Sequence, residues 1–317
     1  MLRTLGYTPS YMDPNFWIKD CGTQYEYIAT WVDDLIHWSK NPMELIEIVE
    51  QIFPLKGTGI LEYYLGGNVD RISWEKSQDG YMFALSARTY ITHICEKIER
   101  MFEVELCHYG LPMEANCHPE VDESPLLPEL MIPKYQMLVG CVNWVVTLGR
   151  FDVFYAVSTM VQYNTAPHEG HLAIMFHIFG YLKHYKKWRL IVDATPPVEE
   201  EYERVKHSWR ALYPDAKEEL PLNMPVPKGN PIHLMVYKDA DGASDLVTRR
   251  LVTGVLVLAN SFPVKFFSKR QATVESLMYG LELVAARIAM DILVEMRYKV
   301  RMLGVLLITP SLMYGDN

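Results

Sequence analysis

No stretch of the 317 residues approaches the ~20 consecutive apolar positions that a membrane-spanning helix needs, so no membrane association is expected. The opening Met-Leu-Arg-Thr-Leu-Gly-Tyr-Thr-Pro-Ser has no apolar signal core, and the chain reads as one that is not secreted. Cysteine is scarce. The five thiols (Cys21, Cys95, Cys107, Cys117, Cys141) are odd in number and scattered, which suits reduced side chains in a cytoplasmic or nuclear setting. Cys107-His108 and Cys117-His118 match no standard zinc spacing and are read as structural or incidental. There is no internal repeat and no low-complexity tract. Positive charge is also short: the net charge is −9, whereas affinity for nucleic acid normally comes from Lys and Arg against phosphates.

That deficit is uneven. Acid gathers in Glu44–Glu50 and Val198–Glu219. Base gathers at Lys183, Lys186, Lys187 and Arg189, at Arg249 and Arg250, at Lys265, Lys269 and Arg270, and between Arg297 and Arg301. Such clusters permit a nucleic-acid partner without demanding one. Half the residues are apolar and 22% are charged, ordinary values for a globular chain long enough to hold about two domains.

The chain is organised around Tyr25–Trp38, Y-E-Y-I-A-T-W-V-D-D-L-I-H-W. Two short runs, Tyr27–Val32 and Leu35–Trp38, rich in aromatic and β-branched residues, read as strands with Asp33-Asp34 at the tip of a hairpin. Adjacent carboxylates repel unless neutralised, and a hard divalent cation is the natural counter-ion. An Asp pair at a turn is also ordinary solvated turn chemistry. After the hairpin, Asn41 as N-cap, Pro42 at the first helical position and Glu44 closing a capping box predict a helix. Its apolar face would be Leu45, Ile46, Val49, Ile52 and Phe53. Ile60–Arg71 reads as a strand region whose paired Gly66 and Gly67 suit close backbone approach to a neighbour or ligand, or a bulge.

Ser86 is the expected cap of a helix with Tyr90, Ile91, Ile94, Cys95, Ile98 and Phe102 facing inward. Further helices are expected over Lys134–Leu148 and His168–Lys187. Asp193–Asn230, acidic and with six prolines, reads as an exposed linker. Then the period changes. Ile232–Tyr237, Val252–Ala259 and Val264–Phe267 read as strands, Val274–Met302 as a long helix, and Val305–Ile308 as a buried strand. Asp239 after the first strand, Glu282 on the helix and Asp316 after the fourth strand could meet, although each alone has an ordinary structural explanation.

Several motifs follow one another in order. They include G-Y-T-P-S-Y-M-D-P at Gly6–Pro14, I-A-T-W-V-D-D-L-I at Ile28–Ile36, and F-P-L-K-G-T-G-I-L-E-Y-Y-L-G at Phe53–Gly66. Y-Q-M-L-V-G at Tyr135–Gly140 and R-F-D-V-F-Y-A-V-S at Arg150–Ser158 come next, then Gly180-Tyr181-Leu182-Lys183. K-D-A-D-G-A-S-D-L-V-T-R-R-L-V-T-G at Lys238–Gly254, S-K-R-Q at Ser268–Gln271 and T-V-E-S-L-M-Y-G-L-E-L-V-A-A-R at Thr273–Arg287 complete the series. Together they resemble the C-terminal part of a copia-type LTR-retrotransposon Pol polyprotein, its reverse transcriptase and ribonuclease H region.

The resemblance implies an α/β (α+β) fold in four parts. Residues 1–84 would be a partial reverse-transcriptase palm, 85–192 a helical thumb or connection, 193–230 the acidic linker, and 231–317 a truncated ribonuclease H-like domain. It implies two magnesium (or manganese) ions per site, held by Asp33 and Asp34 in the palm and by Asp239, Glu282 and Asp316 in the second site. Trp31, Lys56, Gly66 and Gly67 would lie against the substrate. The implied partners are an RNA template, a DNA primer, deoxynucleoside triphosphates and an RNA–DNA hybrid, in a cytoplasmic retroelement particle or the nucleus.

The sequence also departs from the pattern. Trp31 stands where Tyr is usual, Gly242 where Trp is usual, and Leu251-Val252 replace a small polar pair. The family's third palm Asp and its fingers do not fit in the 24 residues before Tyr25, and its ribonuclease H continues past Asp316. The expectation is a fragment, incomplete for polymerisation, whose partner is the missing N-terminal part of the polyprotein. The alternative is a non-catalytic nucleic-acid-binding or relic protein derived from a retroelement.

Overall fold

The structure is a computed structural model that describes residues 1–75, 80–197, 211–215, 217–241, 245–248, 251–271, 278–307 and 310–315. At its N-terminal end, β1 (Thr8–Pro9), β2 (Phe16–Asp20), β3 (Tyr25–Trp31) and β4 (Asp34–Trp38) form an antiparallel sheet in chain order. Helix α1 (Pro42–Glu50) closes one face, burying Tyr7 and Ile28 against Leu45 and Val49. Asn41 is the N-cap and Pro42 opens the helix, but the Asn41 side chain makes no capping hydrogen bond. The helix stops at Glu50, one turn short of the expected face, so Ile52 and Phe53 are exposed.

The second sheet, in order β5 (Tyr63–Tyr64), β6 (Gly67–Ser73), β7 (Tyr81–Ser86) and β8 (Leu190–Ile191), is also antiparallel. Its last strand returns to the edge of β7 after four helices: α2 (Arg88–Phe102), α3 (Ile132–Thr147), α4 (Phe154–Met160) and α5 (Glu169–His184). The largest core lies among them, with Ile91 and Ile98 of α2, Leu138 and Val142 of α3, and Phe179 and Leu182 of α5 fully buried. The α2 face matches its sequence period; its cap does not. Ser86 ends β7 as a buried residue and Ala87 takes the N-cap position. The free amide of Thr89 instead donates to Asn68 Oδ1 at 3.1 Å, so a side chain from β6 caps the helix. Arg150, nearly fully buried, forks onto Asp152 at 2.8 and 2.9 Å and donates to the Tyr185 carbonyl at 3.0 Å, tying the α3–α4 turn to the end of α5. All five cysteines are free thiols.

The last part contains β9 (Lys228–Ile232), β10 (Leu234–Asp241), β11 (Val252–Ala259), β12 (Phe262–Arg270), α6 (Met278–Met302), β13 (Val305–Leu307) and β14 (Leu312–Tyr314). The main sheet has the order β12-β11-β10-β14, with β14 parallel to β10 and the other pairs antiparallel. Leu234, Val236, Val255 and Val257 bury one face of it against Ala289, Ile292 and Leu293 of α6. The expected strand from Val305 does form, but it pairs with β9 outside the main sheet, and β14 takes the fourth place. The residues from Lys228, expected to belong to a linker running to Asn230, are therefore already in a strand. Most of the acidic 198–219 segment, the expected helix start at Val274, Arg249, Arg250, Gly242 and Ile308 lie outside the described residues.

The units touch. The Tyr25 and Tyr27 hydroxyls donate to the carbonyls of Val226 (2.8 Å) and Leu303 (2.7 Å). Phe266 of β12 meets Phe154 of α4 edge-on, at 5.2 Å between ring centres.

Candidate functional site

Trp31 pairs directly with Asp34, so the hairpin turns through two residues, Val32 and Asp33. Asp33 sits in the turn and Asp34 is the first residue of β4. Val32 has φ +51°, a conformation that costs a side chain roughly 1–2 kcal/mol, and it is 92% exposed. Packing does not impose that backbone; the tightness of the turn does.

Both carboxylates are exposed, and neither forms an ion pair or hydrogen bond among the described residues. Residues opposite each other in an antiparallel pair project to the same side. Because Ile28 projects towards α1, Trp31 and Asp34 project away from it, on the side of Tyr27, Phe16 and Trp38. That side is aromatic: Phe16 lies 5.6 Å from Tyr27 and 6.2 Å from Trp38, ring centre to ring centre. Trp31 is exposed at its edge. Tyr64 of β5 lies close by, and burial together with the Asp34 charge pushes its hydroxyl above the ordinary phenol range.

Beneath the sheet is a polar group that the sequence reading missed. Tyr7 donates to Glu26 Oε2 at 2.9 Å, and its oxygen also lies 2.9 Å from His37 Nε2. Burial first, and the Glu26 carboxylate second, raise the Tyr7 phenol, while burial lowers His37. The signal was available: Glu26 and His37 fall in the same alternation as Ile28, on the side that α1 covers.

Gly66 and Gly67 belong to a tight hairpin between β5 and β6, with Leu65 at φ +48° and Gly66 at φ +89°, as a two-residue turn of the I′ kind requires. A Cβ on Gly66 would come within 3.1 Å of Trp144 Nε1, and one on Gly67 within 3.4 Å of Leu148. Helix α3 is the neighbour that these glycines admit. Lys56 is exposed and makes no contact of its own to another charged group among the described residues.

The second group of acids is arranged differently. Glu282 of α6 pairs with the ammonium of Lys238, and both side chains are largely buried, at 13% and 9% exposure. Lys238 shares its face of β10 with Leu234 and Val236, the face towards α6. By strand alternation Asp239 projects to the other face. There it lines an open groove of about 760 Å³ with Tyr237, Gly254 and Phe266, walled on the far side by Phe151, Phe154 and Tyr155. Asp316 lies outside the described residues; Gly315 before it packs on the Lys238 stem, where a Cβ would fall 2.5 Å from Cε. Among the described residues no group of three or more His, Cys, Asp or Glu side chains could hold a metal ion.

Compared with known proteins, the chain is 24% identical to the retrovirus-related Pol polyprotein from transposon RE1 of Arabidopsis thaliana, over 100% of this chain and 19% of that protein. It is 23% identical to the corresponding polyprotein from transposon RE2, over 85% of this chain and 16% of the relative. It is 26% identical to a putative transposon Ty5-1 protein of Saccharomyces cerevisiae over 49% of this chain and 48% of that one. The chain thus spans about a fifth of the RE1 polyprotein. No family profile and no solved structure matches. The resemblance read from the ordered motifs is borne out, in that the relatives are retrotransposon Pol polyproteins.

Proposed function

From this kinship with retrotransposon Pol polyproteins, we propose that the retroelement-derived chain supplies the primer-side hairpin of an RNA-directed DNA polymerase. The observation that carries the reading is the Asp33–Asp34 pair: adjacent, exposed, and facing no cation of the described residues. Carboxylate oxygens of this kind suit magnesium or manganese, so the donor set fits, and Asp33 and Asp34 would hold the ion. Such ions, when bound, activate an attacking hydroxyl and stabilise the leaving oxygen in phosphoryl transfer.

The remaining roles belong to the protein. Trp31, on the same side as Asp34, offers a ring on which the terminal base of a DNA primer can stack against its RNA template. Tyr64, whose hydroxyl burial and then the Asp34 charge push above the ordinary phenol range, offers a donor near that carboxylate. Deoxynucleoside triphosphate would bring further phosphate oxygens to the ion. No third acid among the described residues joins the pair, so the hairpin provides part of a ligand set.

A specific observation favours a second reading for the C-terminal unit. A ribonuclease H centre needs acids on one side of the sheet, but Lys238 already neutralises Glu282 and Asp239 faces the opposite groove. The described residues do not fit a metal there. This unit is read as a non-catalytic support or as a surface for an RNA–DNA hybrid.

The test is a manganese titration followed by electron paramagnetic resonance, comparing the chain with its Asp33→Asn/Asp34→Asn variant. Primer extension is then measured with the chain fused behind the preceding Pol segment of the RE1 relative. Metal binding lost in the double variant, with extension that Asp34→Asn abolishes, supports the reading. Binding indifferent to both substitutions, with no extension by the fusion, rejects it.

A further inference from the structure

Helix α6 has a second face that the described residues leave open from Tyr279 to Val294, Glu218 lying over Arg297 and Arg301 at its C-terminal end. Its core side carries Leu281, Ala285, Ala289 and Ile292. On the opposite side Tyr279, Leu283, Met290, Val294 and Tyr298 are exposed, at between 41 and 79%. Side chains four and seven residues apart lie above one another on a helix, so these five form one stripe roughly 28 Å long. Single exposed apolar residues are commonplace; a continuous stripe of large ones marks a contact surface. Arg287 and Asp291 sit in its middle, exposed, and form no ion pair among the described residues.

The stripe reads alike in both directions. About a point midway between residues 288 and 289, Tyr279 is the counterpart of Tyr298 and Leu283 of Val294, while Arg287 falls opposite Met290 and one residue from Asp291. A second α6 laid antiparallel would set apolar against apolar along the stripe and close two Arg287–Asp291 ion pairs, one on each side of a two-fold axis. A parallel copy would set Arg287 on Arg287 and Asp291 on Asp291, which repel. We propose that two copies of this chain associate through the outer stripe of α6, antiparallel, with Arg287 and Asp291 fixing the register. This holds whether or not the hairpin is a polymerase centre.

Sedimentation of the full chain at concentrations up to about 100 µM tests it. The expected result is a reversible dimer. Leu283→Glu should give a monomer, and at a concentration low enough that the parent is also monomeric the two melting curves should coincide, because that side chain is outside the core. Arg287→Glu and Asp291→Arg should each weaken dimerisation about tenfold or more, and the double exchange should restore it. A chain that stays monomeric over the whole range, a dimer indifferent to Leu283→Glu, or charge variants that fail to rescue each other would overturn the proposal.

Discussion

Replacing Lys238 by Met keeps the stem that packs against Gly315 and removes only the ammonium. Glu282, 13% exposed, is then left as a carboxylate without a cation. Breaking a buried pair from one side in this way costs about 3–5 kcal/mol, a large share of the 5–15 kcal/mol that ordinarily holds a domain together. Glu282→Gln should cost less, about 1–3 kcal/mol, since the amide oxygen still accepts from the ammonium. The double variant Lys238→Met/Glu282→Leu should be close to neutral, because no charge then remains to be solvated. Urea unfolding followed by circular dichroism gives all three values, with an unchanged slope as the check that only stability moved. If Lys238→Met lies within about 0.5 kcal/mol of the parent chain, Lys238 and Glu282 do not form a buried ion pair. A second result would also sink the reasoning: a midpoint that rises with magnesium in the parent and not in Glu282→Gln would mean that a cation displaces Lys238.

Arg297 and then Arg301 hold the Glu218 carboxyl down to about 2 by hydrogen bonding to it, from an ordinary 4.5. Because the folded value is the lower one, this contribution is complete above about pH 4.5 and is lost as pH falls towards 2. With Glu218 at 42% exposure, solvent screening leaves roughly 1 kcal/mol, and acid unfolding of Glu218→Gln against the parent should show that difference at pH 6 but not at pH 2. Gly304 has φ +69°, and a Cβ there would lie 2.4 Å from the Tyr25 ring. Gly304→Ala should cost about 2–3 kcal/mol by thermal unfolding, part backbone and part clash; a cost equal in the Tyr25→Ala background would show that no clash exists.

Much of the candidate site was legible because short range decides it. The aromatic and β-branched run Tyr27–Val32 marks the strand, but the tip expected at Asp33-Asp34 lies one residue earlier: Trp31 pairs with Asp34, so Val32-Asp33 make the turn. Helix α2 showed its inward face through its 3.6-residue period, and Ile91, Ile94, Cys95 and Ile98 are buried as that period implied. Its cap was not legible. Ser86 has the right chemistry one residue too early, and the acceptor that satisfies Thr89 comes from Asn68, which only sheet pairing brings near. The α1 face failed for a similar reason: an apolar period can outrun the helix, and Ile52 and Phe53 lie beyond its last turn.

By itself the sequence determined the hairpin, its paired carboxylates, the α2 stripe and the kinship, since each is written in neighbouring residues or in the order of motifs. The tertiary structure alone decided the faces of β10. The run Ile232–Tyr237 is apolar nearly throughout, so its pattern does not say which alternate positions turn inward. Helix α6, some forty residues away, settles that by covering Leu234, Val236 and Lys238, and in doing so it gives Glu282 a lysine and leaves Asp239 to the opposite groove.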